Sequence, residues 1–329
     1  MGKSLSRIMN GERWPLLHLP EIMERTAINI GRGLRLITLS RFAGDRANAL
    51  RQQRIHDYEL RCAEHQSRLV EYIGVRDVAR LRAKQALRNF RLLDAWRSWH
   101  ESRRAEKVLE QLRRMAPVVR AASIEEQQAR VGDEAERRLD DCLAVALDAK
   151  WTLIAGYSGR GGEIDRILIG PWGIYAFEVK GNRGVIHSDG SRWWVARFGR
   201  HGKPLGIKVI PRAPDAQLAA STKWLAKWFA RNGIWEPIVR VVLFTADDAR
   251  LGIIRSTDAD LVATLRSLDL GNLFDPGSKR SSLAPQLCER IANLVVRDHL
   301  FWWRRRLGAP ETANRRSEGE VTQAFLPSL

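Results

Sequence analysis

The sequence has few cysteines and no long apolar run. Its three cysteines, Cys62, Cys142 and Cys288, are odd in number and far apart, so they form neither a disulfide framework nor a CxxC metal site. The longest apolar runs, such as Val239–Thr245, fall well short of the roughly 20 residues that a membrane helix needs. The first 20 residues carry frequent charges, which excludes a secretory signal. We therefore expect a cytoplasmic protein without a transmembrane segment.

Acidic residues are too few to balance the basic ones. Lysines and arginines number 55 against 38 aspartates and glutamates, which gives the 329-residue chain a net charge of +17. Residues 1–120 carry +12 of that charge, whereas residues 121–275 carry +1 and residues 276–329 carry +4. Such an excess favours a polyanionic partner, above all nucleic acid. The apolar fraction of 44% excludes wholesale disorder.

Helix-breaking residues are scarce over the basic region, residues 46–120. Proline is absent from Ala47 to Met115, and Gly74 is the single glycine there. Apolar residues recur at helical spacing, which predicts long helices that Gly74 could divide. A coiled coil and a helical hairpin with a solvated basic face are both compatible with the pattern, and the helices are candidates for self-association. Three arginines near Trp96 and Trp99 are candidate nucleic-acid contacts: Arg97, Arg103 and Arg104. Residues 1–45 give no clear signal.

Residues 121–275 change character, with shorter apolar runs and more glycine and tryptophan. The predicted strands are Ile164–Ile169, Ile174–Lys180, Arg192–Phe198 and Val239–Thr245, and the predicted helices are Glu125–Ala149 and Asp215–Asn232. This order predicts an α/β domain, a sheet flanked by helices. The glycine-rich segment Gly156–Gly162 lacks the Gly-Lys-Ser/Thr ending of a phosphate-binding loop, which predicts a flexible loop whose Arg160 could contact a phosphate.

The C-terminal region, residues 276–307, contains a predicted helix over Ala284–Leu307. The polar residues 308–329 are expected to form a disordered tail. Three arginines at the end of the helix are further candidate nucleic-acid contacts: Arg304, Arg305 and Arg306. The alternative is that the neighbouring tryptophans pack on the domain while the arginines face water.

A predicted β-hairpin places two carboxylates and a lysine on one face. Its turn, Gly170–Gly173, sets Ile169 opposite Ile174, and counting outward sets Asp165 opposite Glu178. The Cβ atoms of such a pair are roughly 5 Å apart. Lys180 shares the face of Glu178, about 7 Å further along the strand.

Two carboxylates at this distance repel each other unless a cation offsets their charge. Oxygen ligands without a nearby histidine or cysteine favour Mg²⁺ or Mn²⁺ over zinc. Lys180 could position a water molecule or stabilise charge on a phosphate. An exposed acidic–basic ladder is the alternative, but Glu178 and Lys180 interrupt an otherwise apolar strand, where an unpaired charge is expensive.

Asp165 followed by Glu178-Val179-Lys180 resembles the D…ExK core of the PD-(D/E)xK nuclease superfamily, and residues 124–250 resemble the nuclease-related (NERD) domain. The remaining motifs occur in that domain's order: Gly132-Asp133-Glu134-Ala135-Glu136, Glu163-Ile164-Asp165, Gly170–Gly173, Gly184 with Trp193 and Trp194, and Pro214-Asp215-Ala216-Gln217. A D…ExK pattern alone is weak, but six motifs in order are specific. Ala135 replaces the second glycine of the opening motif, which leaves Glu134 as an alternative to Glu136.

The resemblance implies a restriction-endonuclease-like mixed sheet and metal-dependent hydrolysis of phosphodiester bonds, with DNA as the expected substrate. It implies a Mg²⁺ or Mn²⁺ site of Asp165, Glu178, the Val179 carbonyl and Glu136. It also implies that Gln217 supports this site and that Lys180 takes part in catalysis. The rival functions are a non-catalytic nucleic-acid-binding or scaffolding protein that keeps the fold, and a helical protein that docks to an acidic partner.

Overall fold

The computed structural model describes residues 27–29, 33–255, 257–274 and 282–306, which fall into two compact units. The helical unit comprises Ala43–Val131, and the sheet unit comprises the described residues before Ala43 and after Val131. The predicted tail, residues 308–329, lies outside the described residues. None of the described helices is long and apolar enough to cross a membrane.

The helical unit consists of α1 (Phe42–Arg88), α2 (Leu92–Arg114) and the first turns of α3 (Ile124–Ala146). The expectation that Gly74 divides two helices was wrong, because α1 runs through it. A glycine inside a helix costs only about 0.5–1 kcal/mol, which a helix of 47 residues can absorb. The break comes instead just after α1, where Phe90 takes a left-handed conformation with φ of 55°.

Most of the buried side chains in the helices of this unit are small. Alanines such as Ala79 and Ala105 are nearly fully buried. Arg80 pairs with Glu106 over 2.8 Å, so α1 and α2 form an antiparallel helical hairpin, one of the two predicted arrangements. Many arginines on it are exposed, in accordance with the predicted basic face.

The start of α3 is fixed by a cap and an ion pair. Ser123 Oγ accepts a hydrogen bond from the amide of Glu126 over 3.0 Å, as expected of a residue that caps a helix N-terminus. The guanidinium of Arg54 donates to both carboxylate oxygens of Glu126, over 2.9 and 3.0 Å. Glu126 is almost fully buried, so this bidentate ion pair offsets the desolvation cost of its carboxylate charge.

The sheet unit is built on a mixed sheet of seven strands, which confirms the predicted α/β class. The strand order is β1-β2-β3-β4-β5-β9-β11. These strands are β1 (Ala27–Asn29), β2 (Arg35–Thr38), β3 (Thr152–Gly159), β4 (Gly162–Gly170), β5 (Gly173–Lys180), β9 (Ile238–Phe244) and β11 (Leu261–Thr264). The pairs β2–β3, β5–β9 and β9–β11 are parallel, and the remaining neighbours are antiparallel.

Helices cover both faces of this sheet. Leu139 and Leu143 of α3 pack on one face with residues such as Phe177. The other face is covered by α4 (Pro214–Arg231) and α6 (Pro285–Arg306). A short helix, α5 (Leu270–Leu273), precedes α6. Burial on both faces explains the nearly continuous apolar runs of the central strands.

A second sheet has four strands in the order β10-β6-β7-β8. They are β6 (Val185–Ser188), β7 (Trp193–Phe198), β8 (Pro204–Ile210) and β10 (Arg250–Ile254). Of these, the predicted strands include only β7. The others are short or exposed, as β8 is along nearly its whole length, so they lack the apolar runs that signal a buried strand.

The glycine-rich segment Gly156–Gly162 was expected to be a flexible loop, and this was wrong. Its first half completes β3, and Gly162 begins β4 after a tight turn. Gly156 has φ of +74°, and an added Cβ would lie 1.9 Å from the carbonyl oxygen of Ser40. Glycine is therefore needed here because another backbone segment lies very close to the strand. Composition alone cannot distinguish this role from that of glycine in a flexible loop.

Candidate active site

The β4–β5 hairpin has the register that the sequence predicts. Ile169 pairs with Ile174, and the pairing continues outward to Arg166 opposite Phe177. The ladder between β4 and β5 ends there, although both strands continue. From this point β4 remains paired with β3, and β5 remains paired with β9. The two strands therefore part at Asp165 and Glu178, where the sequence predicts the site.

The Asp165 side chain links β4 to β5 just beyond the last main-chain pair of the two strands. Its Oδ2 accepts a hydrogen bond from the Val179 amide over 2.7 Å. This bond satisfies the main-chain donor that β5 would otherwise present to β4, and it fixes the orientation of the carboxylate. Asp165 is half-buried.

Glu178 lies in the interior, where it has two side-chain donors. Only 1% of its surface is exposed. Lys180 Nζ donates to Glu178 Oε1 over 2.5 Å, which confirms that the two side chains share a face of β5. Gln217 Nε2, from α4, donates to the other oxygen, Oε2, over 3.3 Å. The structure thus brings four predicted site residues together: Asp165, Glu178, Lys180 and Gln217.

Glu136 reaches the same region from α3, through an arginine that sequence reasoning did not single out. Arg166 Nη1 donates to Glu136 Oε2 over 2.9 Å and to the Asp165 carbonyl oxygen over 2.8 Å. The same guanidinium forms a bidentate ion pair with the Asp140 carboxylate, over 2.6 and 2.8 Å. Glu134, the alternative carboxylate of the opening motif, is exposed and pairs with Arg138 instead.

Burial and mutual repulsion perturb the ionisation of the site. Burial, and next the charge of Asp165, raise the pKa of Glu178 to about 8. The same two causes raise the pKa of Glu136 to about 7, against the opposing effect of Arg166. Burial acts to lower the pKa of Lys180, but Glu178 and the other carboxylates outweigh it, so that the pKa is raised overall. Such displaced values are typical of functional sites.

The donor chemistry of the site fits a hard divalent cation. Asp165 and Glu178 offer carboxylate oxygens, and a cation beside them would relieve the repulsion that contributes to the raised pKa of Glu178. Within the described ranges, no three acidic, histidine or cysteine side chains are grouped closely enough to hold an ion. Mg²⁺ does not require such a cage, because it is usually held by one or two carboxylates together with waters and substrate phosphates.

A comparison with protein-family models found a match over this part of the chain. The model described as "Nuclease-related domain" matches residues 131–245. The chain contains a nuclease-related domain. The match begins near the Glu136 motif and ends at Thr245, just after β9, so it includes every residue of the carboxylate site. Searches of curated proteins and of solved structures gave no match.

The arginines predicted to contact nucleic acid have different surroundings. Arg97, Arg103 and Arg104 are exposed on α2 of the helical unit, and Arg103 lies over the Trp99 ring at 5.1 Å. In the sheet unit, Arg306 donates to Ser158 Oγ over 2.5 Å and to the Gly159 carbonyl over 3.0 Å, so its guanidinium ties α6 to β3.

Two tryptophans and a histidine follow the nuclease-related hairpin in the second sheet. Trp193 is fully buried and Trp194 only half-buried, as expected of neighbours in a strand. His187 lies in β6, where its ring stacks on that of Trp194 with 5.5 Å between ring centres. Its Nδ1 accepts a hydrogen bond from the Ile253 amide over 3.1 Å, which is a structural use of the ring.

Proposed function

We propose that the nuclease-related domain hydrolyses phosphodiester bonds of nucleic acid, with DNA as substrate and Mg²⁺ or Mn²⁺ as cofactor. The observation that carries this proposal is the meeting of Asp165, Glu178 and Lys180 where β4 and β5 part. Two carboxylates and an amine of raised pKa in one partly buried site suit the binding of a cation and of a phosphate.

Each residue has a role that follows from its contacts. Asp165 and Glu178 would hold the cation, which when bound lowers the pKa of a water molecule and offsets charge on the phosphate. The Val179 amide engages one oxygen of Asp165 and leaves the other for the cation. Gln217 steadies Glu178 from α4. Lys180 carries a proton at Nζ, which can hold a water or donate to a phosphate oxygen.

The proposal also assigns a role to Glu136 and to the charge of the chain. Glu136, which Arg166 holds near Asp165, would add negative charge beside the cation without completing a cage of three carboxylates, and the Val179 carbonyl would be an oxygen ligand from β5. Exposed arginines of the helical unit, including Arg97, Arg103 and Arg104, would add affinity for the phosphate backbone that falls with salt.

The decisive experiment measures cleavage of supercoiled plasmid, linear duplex and single-stranded DNA, and of RNA, with Mg²⁺ or Mn²⁺. The full chain is compared with Asp165→Asn, Glu178→Gln and Lys180→Met, after each variant is shown to be folded. Glu134→Gln is the matched control for Glu136→Gln, because both belong to one turn of α3 but Glu134 is exposed and pairs with Arg138.

We expect metal-dependent cutting that the three site substitutions reduce by at least about a hundredfold, in line with the loss of a metal ligand or of charge stabilisation. Glu134→Gln should cut like the wild type. Cutting that survives all three substitutions would refute the site. Salt-sensitive binding without any cutting would favour the rival function, a non-catalytic nucleic-acid-binding protein.

A further inference from the structure

Three arginines of the sheet unit rest on two tryptophan rings. The Arg160 guanidinium carbon lies 4.7 Å from the centre of the Trp224 ring and 6.0 Å from that of Trp302. Arg231 lies 5.7 Å from the Trp224 ring, and Arg305 lies 5.6 Å from the Trp302 ring. We call these five residues the arginine–tryptophan platform.

The charge of the platform is not neutralised by carboxylates. In the part of the chain that the structure describes, Arg160, Arg231 and Arg305 form no ion pair, and all three are exposed. An aromatic ring attracts a guanidinium through its π face without using the N–H donors. The rings therefore hold three cations in place while their hydrogen-bonding groups stay available for an anion.

The platform residues come from three separate segments, namely the β3–β4 turn, α4 and α6. Gly161 lets the β3–β4 turn approach α4, since an added Cβ would lie 2.8 Å from both the Ala220 carbonyl oxygen and Trp224 Cβ. Ser221 Oγ supports this contact, since it lies 3.3 and 3.1 Å from the carbonyl oxygens of Gly161 and Glu163 and can donate its proton to either. Arg160 is thereby placed over Trp224.

A buried polar network places α6 in the same way. Tyr157 Oη donates to the carboxylate of Asp298, and His299 Nδ1 accepts from the Ser158 amide over 3.0 Å. Both Asp298 and His299 are nearly fully buried. Trp302 Nε1 also donates to Asp298, over 3.2 Å, so the ring that carries Arg305 is fixed to β3.

One helix joins the platform to the carboxylates. Gln217, which contacts Glu178, and Trp224 are two turns apart on α4, which corresponds to about 10 Å along the helix axis. A nucleic-acid strand rises about 3.4 Å per nucleotide, so about three nucleotides would cover this distance.

We propose that the arginine–tryptophan platform is a phosphate-backbone subsite that binds the nucleic-acid strand about three nucleotides from the bond to be cut. The stated distance from the platform to the cleaved bond rests on the proposed function, whereas the binding of nucleic acid to the platform does not require catalysis. A guanidinium matches a phosphate with paired N–H donors, and three fixed guanidiniums would bind successive phosphates of one strand.

The test removes the three charges without touching the carboxylate site. The triple variant Arg160→Gln, Arg231→Gln, Arg305→Gln is compared with a control that loses the same charge from the second sheet region: Arg192→Gln, Arg197→Gln, Arg250→Gln. The control arginines are also exposed and form no ion pair among the described residues. Binding of a labelled single strand, a duplex of equal length and anionic lipid vesicles is measured over a salt series, with a chelator present so that no strand is cut.

We expect the platform variant to bind the single strand about tenfold more weakly or worse, with a salt slope smaller by about 2 for single strands or about 3 for duplex. Under turnover conditions its KM for DNA should rise while kcat stays close to the wild-type value. The control variant should lose much less affinity.

Equal losses in the platform and control variants would overturn the inference, as would lost vesicle binding with nucleic-acid binding unchanged. Absence of nucleic-acid binding by the wild type would also overturn it. If the wild type binds through the platform but cuts nothing, the subsite stands and the proposed nuclease function fails. If the wild type cuts nucleic acid and the platform variant behaves like the control variant, the nuclease function stands and the proposed subsite is wrong.

Discussion

The main-chain amide of Val179 donates a hydrogen bond to the side chain of Asp165, with 2.7 Å between nitrogen and oxygen. A carboxylate proposed for metal binding thus also joins β4 to β5 just beyond the end of their ladder. The hydrogen bond needs an oxygen acceptor at this position, whereas metal binding needs a negative charge. Substitutions can therefore separate the two contributions of Asp165.

Asp165→Asn should abolish cleavage while leaving the domain at least as stable as the wild type at pH 8. The asparagine carbonyl can still accept the Val179 hydrogen bond, and loss of the charge removes a repulsion that raises the pKa of Glu178 and of Glu136. Asp165→Ala should lose the acceptor as well, and we expect its free energy of unfolding to be lower than that of Asp165→Asn by about 1–3 kcal/mol. Urea unfolding of the three proteins measures this order. An asparagine variant as unstable as the alanine variant would show that the charge itself stabilises the fold.

Stability should fall as the pH rises from 6.5 to 8.5. A carboxyl group whose pKa is raised on folding binds more protons in the folded than in the unfolded state, so deprotonation favours unfolding. The ordinary value for glutamate is 4.5, and the folded values are about 7 for Glu136 and about 8 for Glu178. The effect therefore operates between about pH 4.5 and pH 8 and levels off above that. From pH 6.5 to pH 8.5, we expect the two groups together to lower the free energy of unfolding by about 2–3 kcal/mol.

The pH window is chosen to avoid His299, which acts in the opposite direction. Burial, and next the charge of Arg306, lower the pKa of His299 to about 4, so that its contribution to stability is lost as the pH falls below 6.5. Glu178→Gln supplies the control, because glutamine mimics the protonated glutamate. Its stability should depend less on pH than that of the wild type between pH 6.5 and 8.5. Parallel curves for the two proteins would contradict the assignment to Glu178.

Arg166→Met should be among the most destabilising single substitutions in the sheet unit. Arg166 is 2% exposed and compensates Glu136 and Asp140 at once. Removal of one partner from a buried ion pair costs about 3–5 kcal/mol, because a charge is left uncompensated. Arg137→Met is the control, since the Arg137 side chain is 57% exposed in its pair with Asp133 on α3, and pairs with an exposed member contribute about 0–1 kcal/mol. Denaturant midpoints compare the two, and similar losses would mean that the Arg166 network has little net effect.

The hairpin was the part of the fold that the sequence predicted best. A glycine-bounded turn and two apolar runs determine one register, and that register is enough to bring Asp165 close to Glu178. β6 escaped prediction because it has only four residues, and β10 because its partner is distant in the chain, with Arg250 paired to Val185. Periodicity within a short window does not contain that information.

The Arg166 network shows what the site prediction lacked. Its partners, Glu136 and Asp140, lie four residues apart on α3 and so present two carboxylates on one side of a helix. An arginine inside the apolar run of β4 needs compensation. The two observations could have been combined, but only the fold shows that this turn of α3 packs over Arg166 and not over Lys180. The sequence indicated Arg160 and Arg305 as candidate phosphate contacts, but only the fold shows that two tryptophan rings bring them together with Arg231.

Binding of Mg²⁺ or Mn²⁺ should release protons below about pH 8. Glu178, with a pKa of about 8, and Glu136, with a pKa of about 7, are partly protonated at neutral pH, and a cation binds the deprotonated carboxylates. We expect the affinity for the metal to rise between pH 6 and pH 8.5, and calorimetry in buffers of different ionisation enthalpy to count the protons released. Glu178→Gln should lose most of the metal affinity, and Glu136→Gln should release fewer protons than the wild type, while Glu134→Gln should match the wild type. Tight binding without pH dependence or proton release would place the metal elsewhere in the chain.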